Sequence, residues 1–303
     1  MGTLSEIFFM SPPREDWHLR GRANFRSAAG TEVDPHLART QWLTLARAIE
    51  ARGGTVVALE STGANLTGMP YAAECGHLCT TSEGAATFLL PTMAAAHRRD
   101  ERVHWSRLVA TMGIATVAGP DAVWEAQGDV AVFREVELLF YGGRTQRAGL
   151  ESVRPHFSPG HLMVETREPA FHGNMAVLPL HAVDVLVVCP EVLGDGAMDA
   201  LTARFGAASL LEVSEADIRA YATNGLPMGR DLLAPTVTPD QVLDRYAALG
   251  MNIVRIPLTE LCDKAGGASR CLVSRGWLDL EAHPIPPEVR LEQVAARIEG
   301  ARG

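Results

Sequence analysis

The chain has little with which to hold a polyanion or a membrane. Across 303 residues, Asp and Glu outnumber Lys and Arg by 36 to 27, giving a net charge of -9. A counterion-releasing grip on nucleic acid, or on an anionic bilayer, therefore has no general support. Nowhere do about 18 uncharged apolar residues follow one another, and Met1 to Phe9 has no basic region ahead of a long apolar run. A cytoplasmic protein is the expectation. The five cysteines (Cys75, Cys79, Cys189, Cys262 and Cys271) are an odd number in a long chain. That argues against a disulfide framework and leaves room for a working thiol. No glycine-rich phosphate loop is present, since Gly63, Gly68 and Gly76 match neither fingerprint. No second Cys/His pair completes a zinc spacing with Cys75, His77 and Cys79, so neither metal nor cofactor is expected.

What is present is an ordinary globular composition, 47% apolar and 21% charged, with strand-like and helix-like stretches in alternation. Ile7 to Met10, stopped by Pro12-Pro13, reads as a buried strand, and a loop with Arg20, Arg22 and Asn24 follows. Asp34-Pro35 starts a helix with the stripe Leu37, Trp42, Leu45 and Ile49, and Gly53-Gly54 ends it. Further apolar runs at 56–59, 130–133, 138–141, 176–180, 185–189 and 253–258 read as strands. Between them 97–112, 198–205, 239–249 and 287–298 read as helices. This alternation predicts an α/β protein, and with no linker visible residues 1–303 are expected to form a single domain.

Several segments could carry chemistry. Glu260 to Leu272 places Gly266-Gly267 in a turn just before Cys271, with Arg270 beside it to favour a thiolate; a buried structural cysteine is the alternative. Phe171-His172 enters an apolar strand, where an imidazole could shuttle protons or be structural. Glu125 and Asp129 flank a glycine turn and Arg144 follows Gly142-Gly143. A carboxylate and an arginine there could hold a substrate, but pattern alone favours solvated hairpin charges. Glu74 sits amid Tyr71-Ala-Ala and Cys75-Gly76, which suits a paired or pocket-facing carboxylate.

In order along the chain, Met10-Ser-Pro-Pro13, Asn24, Asp34 to Trp42, Tyr71 to Gly76, Glu125 to Asp129, Tyr141 to Thr145, His172 to Leu180 and the terminal Gly-Gly-x-x-x-Cys ending at Cys271 resemble the amidinotransferase, arginine deiminase and dimethylarginine dimethylaminohydrolase superfamily. The resemblance implies a single-domain, five-bladed, pseudo-symmetric α/β propeller with one central site. It further implies Cys271 as nucleophile toward a guanidinium carbon, His172 as general acid and base, and Glu125 as the carboxylate pairing with both histidine and substrate. Around the substrate it places Glu74, Arg144, Arg98, Asn24 and Asn174. The implied activity is hydrolysis of a C–N bond in a linear amidine of an arginine-like guanidino substrate, through a covalent thiouronium. Amidino transfer to an acceptor amine, and a catalytically silent binding protein on the same scaffold, are the alternatives. Three departures from the family pattern (Gly68 where an Asp is usual, Asn174 where many relatives have Asp, and the longer Glu74) suggest a substrate other than free arginine. The partner expected is this small molecule; the assembly is left open, a homodimer included.

Overall fold

Strand formation follows the apolar runs, and the connections between them set the architecture. In this computed structural model residues 3–20, 24–29, 32–81 and 85–300 are described, so Arg22 of the loop noted above lies outside the described residues. The strands are β1 Leu4–Met10, β2 Thr55–Ala58, β3 His77–Thr80, β4 Ala86–Leu89, β5 Ala115–Val117, β6 Val130–Phe133, β7 Val136–Tyr141 and β8 Leu162–Glu165. Then come β9 Val177–Leu180, β10 Val185–Val188, β11 Leu210–Glu212, β12 Leu226–Met228, β13 Asp231–Pro235, β14 Asn252–Ile256 and β15 Ser274–Asp279. Among the described residues they form five three-stranded sheets.

Each sheet repeats one plan. An antiparallel pair comes first, and the second strand then takes a parallel neighbour: β3-β4-β5, β6-β7-β8, β9-β10-β11 and β12-β13-β14 all obey it. Parallel neighbours need a long crossover, and here each carries a helix, for example Glu101–Thr111 between β4 and β5 and Asp240–Ala248 between β13 and β14. The fifth sheet is completed by both ends of the described chain, β15 pairing antiparallel with β1 from Leu4↔Asp279 to Phe9↔Ser274 and β2 running parallel to β1. The result is the five-bladed α/β propeller.

The helix foreseen after Asp34 runs from Pro35 to Glu50. Asp34 caps it, accepting from the backbone N–H groups of His36 and Leu37 at 2.9 and 3.1 Å. Its apolar stripe needs one correction. Leu37 is 41% exposed, and Ala38, Trp42, Leu45 and Ile49 make the buried face, because at 3.6 residues per turn Ala38, not Leu37, is in phase with Trp42, Leu45 and Ile49. No helix among the described residues is long and apolar enough to cross a membrane.

Neighbouring blades are joined by side chains pointing off each sheet. Phe9 of β1 is fully buried and meets Phe88 of β4 edge-on at 5.3 Å between ring centroids and Trp105 of the next crossover helix at 6.3 Å. Phe9→Ala should therefore open a cavity between two blades and cost about 3–5 kcal/mol. Urea unfolding would check this, and a loss below about 1 kcal/mol would contradict the packing.

Candidate active site

The blade plan delivers one short segment to the same end of each sheet, just before its first strand. Glu74 closes the turn Ala72–Glu74 ahead of β3, Glu125 precedes the turn Ala126–Asp129 ahead of β6, His172 precedes β9, Asn224 precedes β12 and Cys271 precedes β15. The backbone N–H of Ala73 donates to the Cys271 carbonyl at 3.1 Å, tying the first of these segments to the last.

Two glycines shape the cysteine turn. Gly266 has φ of +97°, and a Cβ there would lie 2.3 Å from Asn24 Oδ1; one at Gly267 would lie 2.5 Å from the Tyr71 ring and 3.0 Å from the Cys271 Cβ. Cys271 Sγ is buried but borders a cavity. Asn224 Nδ2 lies 3.2 Å from it and Asn174 Nδ2 lies 3.6 Å away. Burial and the charge of Glu74 push the Cys271 thiol up to about 11, against the opposing pull of Asn224 and Arg270. Arg270 acts on the thiol as the sequence suggested, while its guanidinium donates to the carbonyls of Val273 and Gln127.

His172 is completely buried, and its Nε2 lies 2.7 Å from Glu125 Oε2. Its Nδ1 stands 3.2 Å from Glu74 Oε1 without hydrogen-bond alignment. Burial alone would disfavour the imidazolium. Glu74, Asp129 and Glu125 outweigh it and hold the His172 pKa above its ordinary value. Glu125 is correspondingly held down to about 2: burial works against its charge, but His172, Arg144 and Arg98 prevail. Asp129, pushed up to about 6 by burial, accepts from Thr145 Oγ1 at 2.6 Å and the Gly173 N–H at 2.8 Å. Thr145 Oγ1 in turn accepts from the Glu125 N–H at 2.9 Å. Glu125 and Asp129 are thus buried and hydrogen-bonded, not the solvated turn charges that their pattern suggested.

Arg144 is placed by the Gly142-Gly143 turn. A Cβ at either glycine would strike a backbone carbonyl, and the Arg144 guanidinium lies over the Phe171 ring at 4.5 Å and 3.5 Å from Glu125. Arg98 is more deeply held. It is ion-paired with Glu74, forked onto Glu101 with a 2.8 Å contact, and donates to the Gly68 carbonyl at 2.9 Å. A Cβ at Gly68 would fall 2.0 Å from Arg98 Nε, so the glycine makes room for this arginine.

A cavity of about 80 Å³ is lined by Cys271, Glu74, Arg98, Arg144 and Asn24 among others. His172, Glu125 and Asn174 stand behind that wall. Asn24 uses its amide structurally: Oδ1 accepts from the Arg26 and Ser27 N–H groups, and Nδ2 donates to the Ala265 carbonyl at 3.0 Å. Glu74, Glu125 and His172 also present acceptor atoms within 4.8 Å of one another. Arg98 and Arg144 already stand against these two carboxylates, so part of the cluster's negative charge is met by guanidinium groups of the chain itself. Cys75, His77 and Cys79 do not converge: Cys75 packs in the core and His77 stacks on Phe157 at 5.2 Å.

This arrangement of blades is shared with solved structures. The N-terminal domain of ArgZ, an arginine dihydrolase from the ornithine-ammonia cycle in cyanobacteria, superposes with a TM-score of 0.80 at 20% identity, covering 89% of this chain and 97% of that one. A dimethylarginine dimethylaminohydrolase gives 0.67 at 16% identity, covering 90% of this chain and all of the other. The chain has the fold of the amidinotransferase and dimethylarginine dimethylaminohydrolase superfamily. AgrE, solved with ornithine and NAD+, gives 0.78 at 20% identity, the match covering 94% of this chain and 41% of that longer one. In sequence, the uncharacterized protein ZK1307.1 of Caenorhabditis elegans is 23% identical over 270 residues, which is 88% of this chain and 92% of that one. No protein-family model matches the chain.

The pair at the centre sets a titration. With its folded pKa above the ordinary value, His172 stabilises the fold while protonated, and this contribution disappears as pH rises through that folded value. Glu125, depressed to about 2, contributes above the ordinary carboxylate range and loses its effect as pH falls toward 2. NMR titration of the His172 imidazole should give a midpoint above 6.5 in the parent and a lower one in Glu125→Gln. An unchanged midpoint would contradict the pairing.

Proposed function

We propose that the chain is a cysteine-dependent hydrolase acting on a guanidino compound within one domain, with Cys271 as nucleophile, His172 as general acid and base, and Glu125 and Glu74 as the carboxylates that take the guanidinium edges. The observation that carries this reading is the placement of Cys271 and Glu74 on one cavity wall, with the imidazole held between Glu74 and Glu125 behind it. A buried thiol at about 11 is a poor nucleophile by itself. A guanidinium bound against it adds the positive charge that favours the thiolate, the thiol proton passing to solvent, so the substrate helps to create its own attacker. The sulfur–carbon bond then forms. The imidazolium gives its proton to the departing nitrogen as the carbon–nitrogen bond breaks, leaving an S-alkylthiouronium. Neutral His172 next takes a proton from water adding to that carbon, cleavage of the carbon–sulfur bond returns the thiolate, and loss of the remaining hydroxyl proton to solvent leaves a ureido group. Carboxylates in the plane of the cation stabilise the charge through both steps. The fold shared with arginine dihydrolases and dimethylarginine dimethylaminohydrolase supports the same chemistry.

The remote end of the substrate follows from Gly68, Arg98 and Glu101. Arg98 occupies the space a side chain at 68 would fill, and its donors are engaged by Glu74, Glu101 and the Gly68 carbonyl. Among the described residues, position 68 therefore offers no carboxylate to an α-amino group. A substituted or acylated guanidino compound fits better than free arginine.

Incubation with a panel of guanidines should yield ureido product, and Cys271→Ser should slow it by at least roughly a thousandfold. Amidino transfer to an added amine with no ureido product would make the protein an amidinotransferase. A parent that binds but never turns over would contradict the enzyme reading.

A further inference from the structure

Four of the five blade-entry segments carry residues that the resemblance implies: Glu74, Glu125, His172 and Cys271. The fifth ends at Asn224, to which nothing in the sequence pattern gave a role. Its side chain is 1% exposed, in the loop between the helix Glu215–Arg219 and β12. We propose that Asn224 is a catalytic residue of the reaction read above, donating a side-chain N–H to the Cys271 sulfur and stabilising it as the thiolate nucleophile and leaving group.

The orientation of this amide is fixed by its surroundings. Nδ2 faces three acceptors, the Asn174 carbonyl and Oδ1, each at 3.3 Å, and Cys271 Sγ at 3.2 Å. Oδ1 faces one donor, the Cys271 backbone N–H at 3.3 Å. Turning the amide over would set oxygen against the Asn174 oxygens and leave the Cys271 N–H facing an NH2 group, so the donor must be the atom at sulfur.

The loop is built to hold that position. Tyr221 turns with φ of +66°, its hydroxyl bonds the Cys262 carbonyl, Thr223 Oγ1 donates to the Met175 carbonyl, and the Arg270 N–H donates to the Asn224 carbonyl at 3.1 Å. The amide is thereby locked to the same turn that carries the thiol. The ionisable groups around the sulfur are Glu74, which opposes a thiolate, Arg270, which favours it, and the Tyr71 hydroxyl. A neutral donor at 3.2 Å strengthens when the sulfur becomes charged, which is the requirement both for attack and for expulsion from the thiouronium. Asn174 adds a second, longer amide contact at 3.6 Å; a carboxylate at that position would repel the thiolate.

This inference rests on Cys271 being the nucleophile, and its test is kept separate from turnover. The rate of Cys271 alkylation by iodoacetamide is followed by peptide mass spectrometry against pH in the parent, Asn224→Ala and Asn224→Asp, with Thr223→Ser as a loop control and melting temperatures as a check on folding. Asn224→Ala removes the donor without adding a charge, whereas Asn224→Asp keeps an oxygen for the Cys271 N–H but sets a carboxylate oxygen against the sulfur and the Asn174 oxygens. The expected result is a thiol midpoint raised by about one pH unit or more in both Asn224 variants, seen as a roughly tenfold or greater loss of alkylation rate below the midpoint, with Asp worse than Ala. Thr223→Ser should follow the parent. A parent-like pH profile in Asn224→Ala, in a variant that melts like the parent, would overturn the proposal, whether or not guanidine hydrolysis is observed; the Asp variant adds charge repulsion and does not decide it.

Discussion

Four carboxylates, Glu74, Glu101, Glu125 and Asp129, are buried at the hub of five blades, and the rest of the site is organised by the need to balance them. Desolvated charges of one sign persist only with partners in reach. Arg98 answers Glu74 and Glu101, and His172 answers Glu125 with Arg144 beyond it. The balance is local and leaves edges of Glu74 and Glu125 directed at the histidine and the cavity wall. In the proposed function a planar cation entering beside Cys271 would complete this arrangement electrically.

The propeller makes this clustering geometrically possible. A residue just ahead of each blade's first strand lies at the same end of its sheet, so five positions far apart in sequence meet at the hub. Glycines then decide how close the segments come: Gly267 lets Cys271 pack on Tyr71, Gly128 lets His172 lie against the turn after Glu125, and Gly68 lets Arg98 approach Glu74. Closure of one blade by β15 and β1 brings the cysteine turn into register with the other four.

Much of this was legible in the sequence, for identifiable reasons. The apolar run Val185–Val188 reads as a strand because both its faces are covered, whereas Val130–Phe133 is apolar throughout although Val132 is 42% exposed. Short strands such as β3, with His77 and Thr80, and β12 and β13, carrying Pro227 and Pro235, gave no periodicity to read. Cys271, His172 and Glu125 stood out by residue type and motif order. Asn224 did not, since an asparagine before Gly225 reads as an ordinary turn. Recognising that every blade contributes at the same position would have exposed it. Glu101 was hidden for another reason: a carboxylate in a helix's first turn looks solvated, and only its fork with Arg98 marks it as buried.

The most direct measurement of the central claim is covalent trapping. Acid-quenched protein exposed to guanidino compounds, digested and read by mass spectrometry, should carry an amidino-type adduct on the peptide containing Cys271, lost in Cys271→Ser. An adduct on another cysteine, or ureido product formed at the parent rate by Cys271→Ser, would contradict the account.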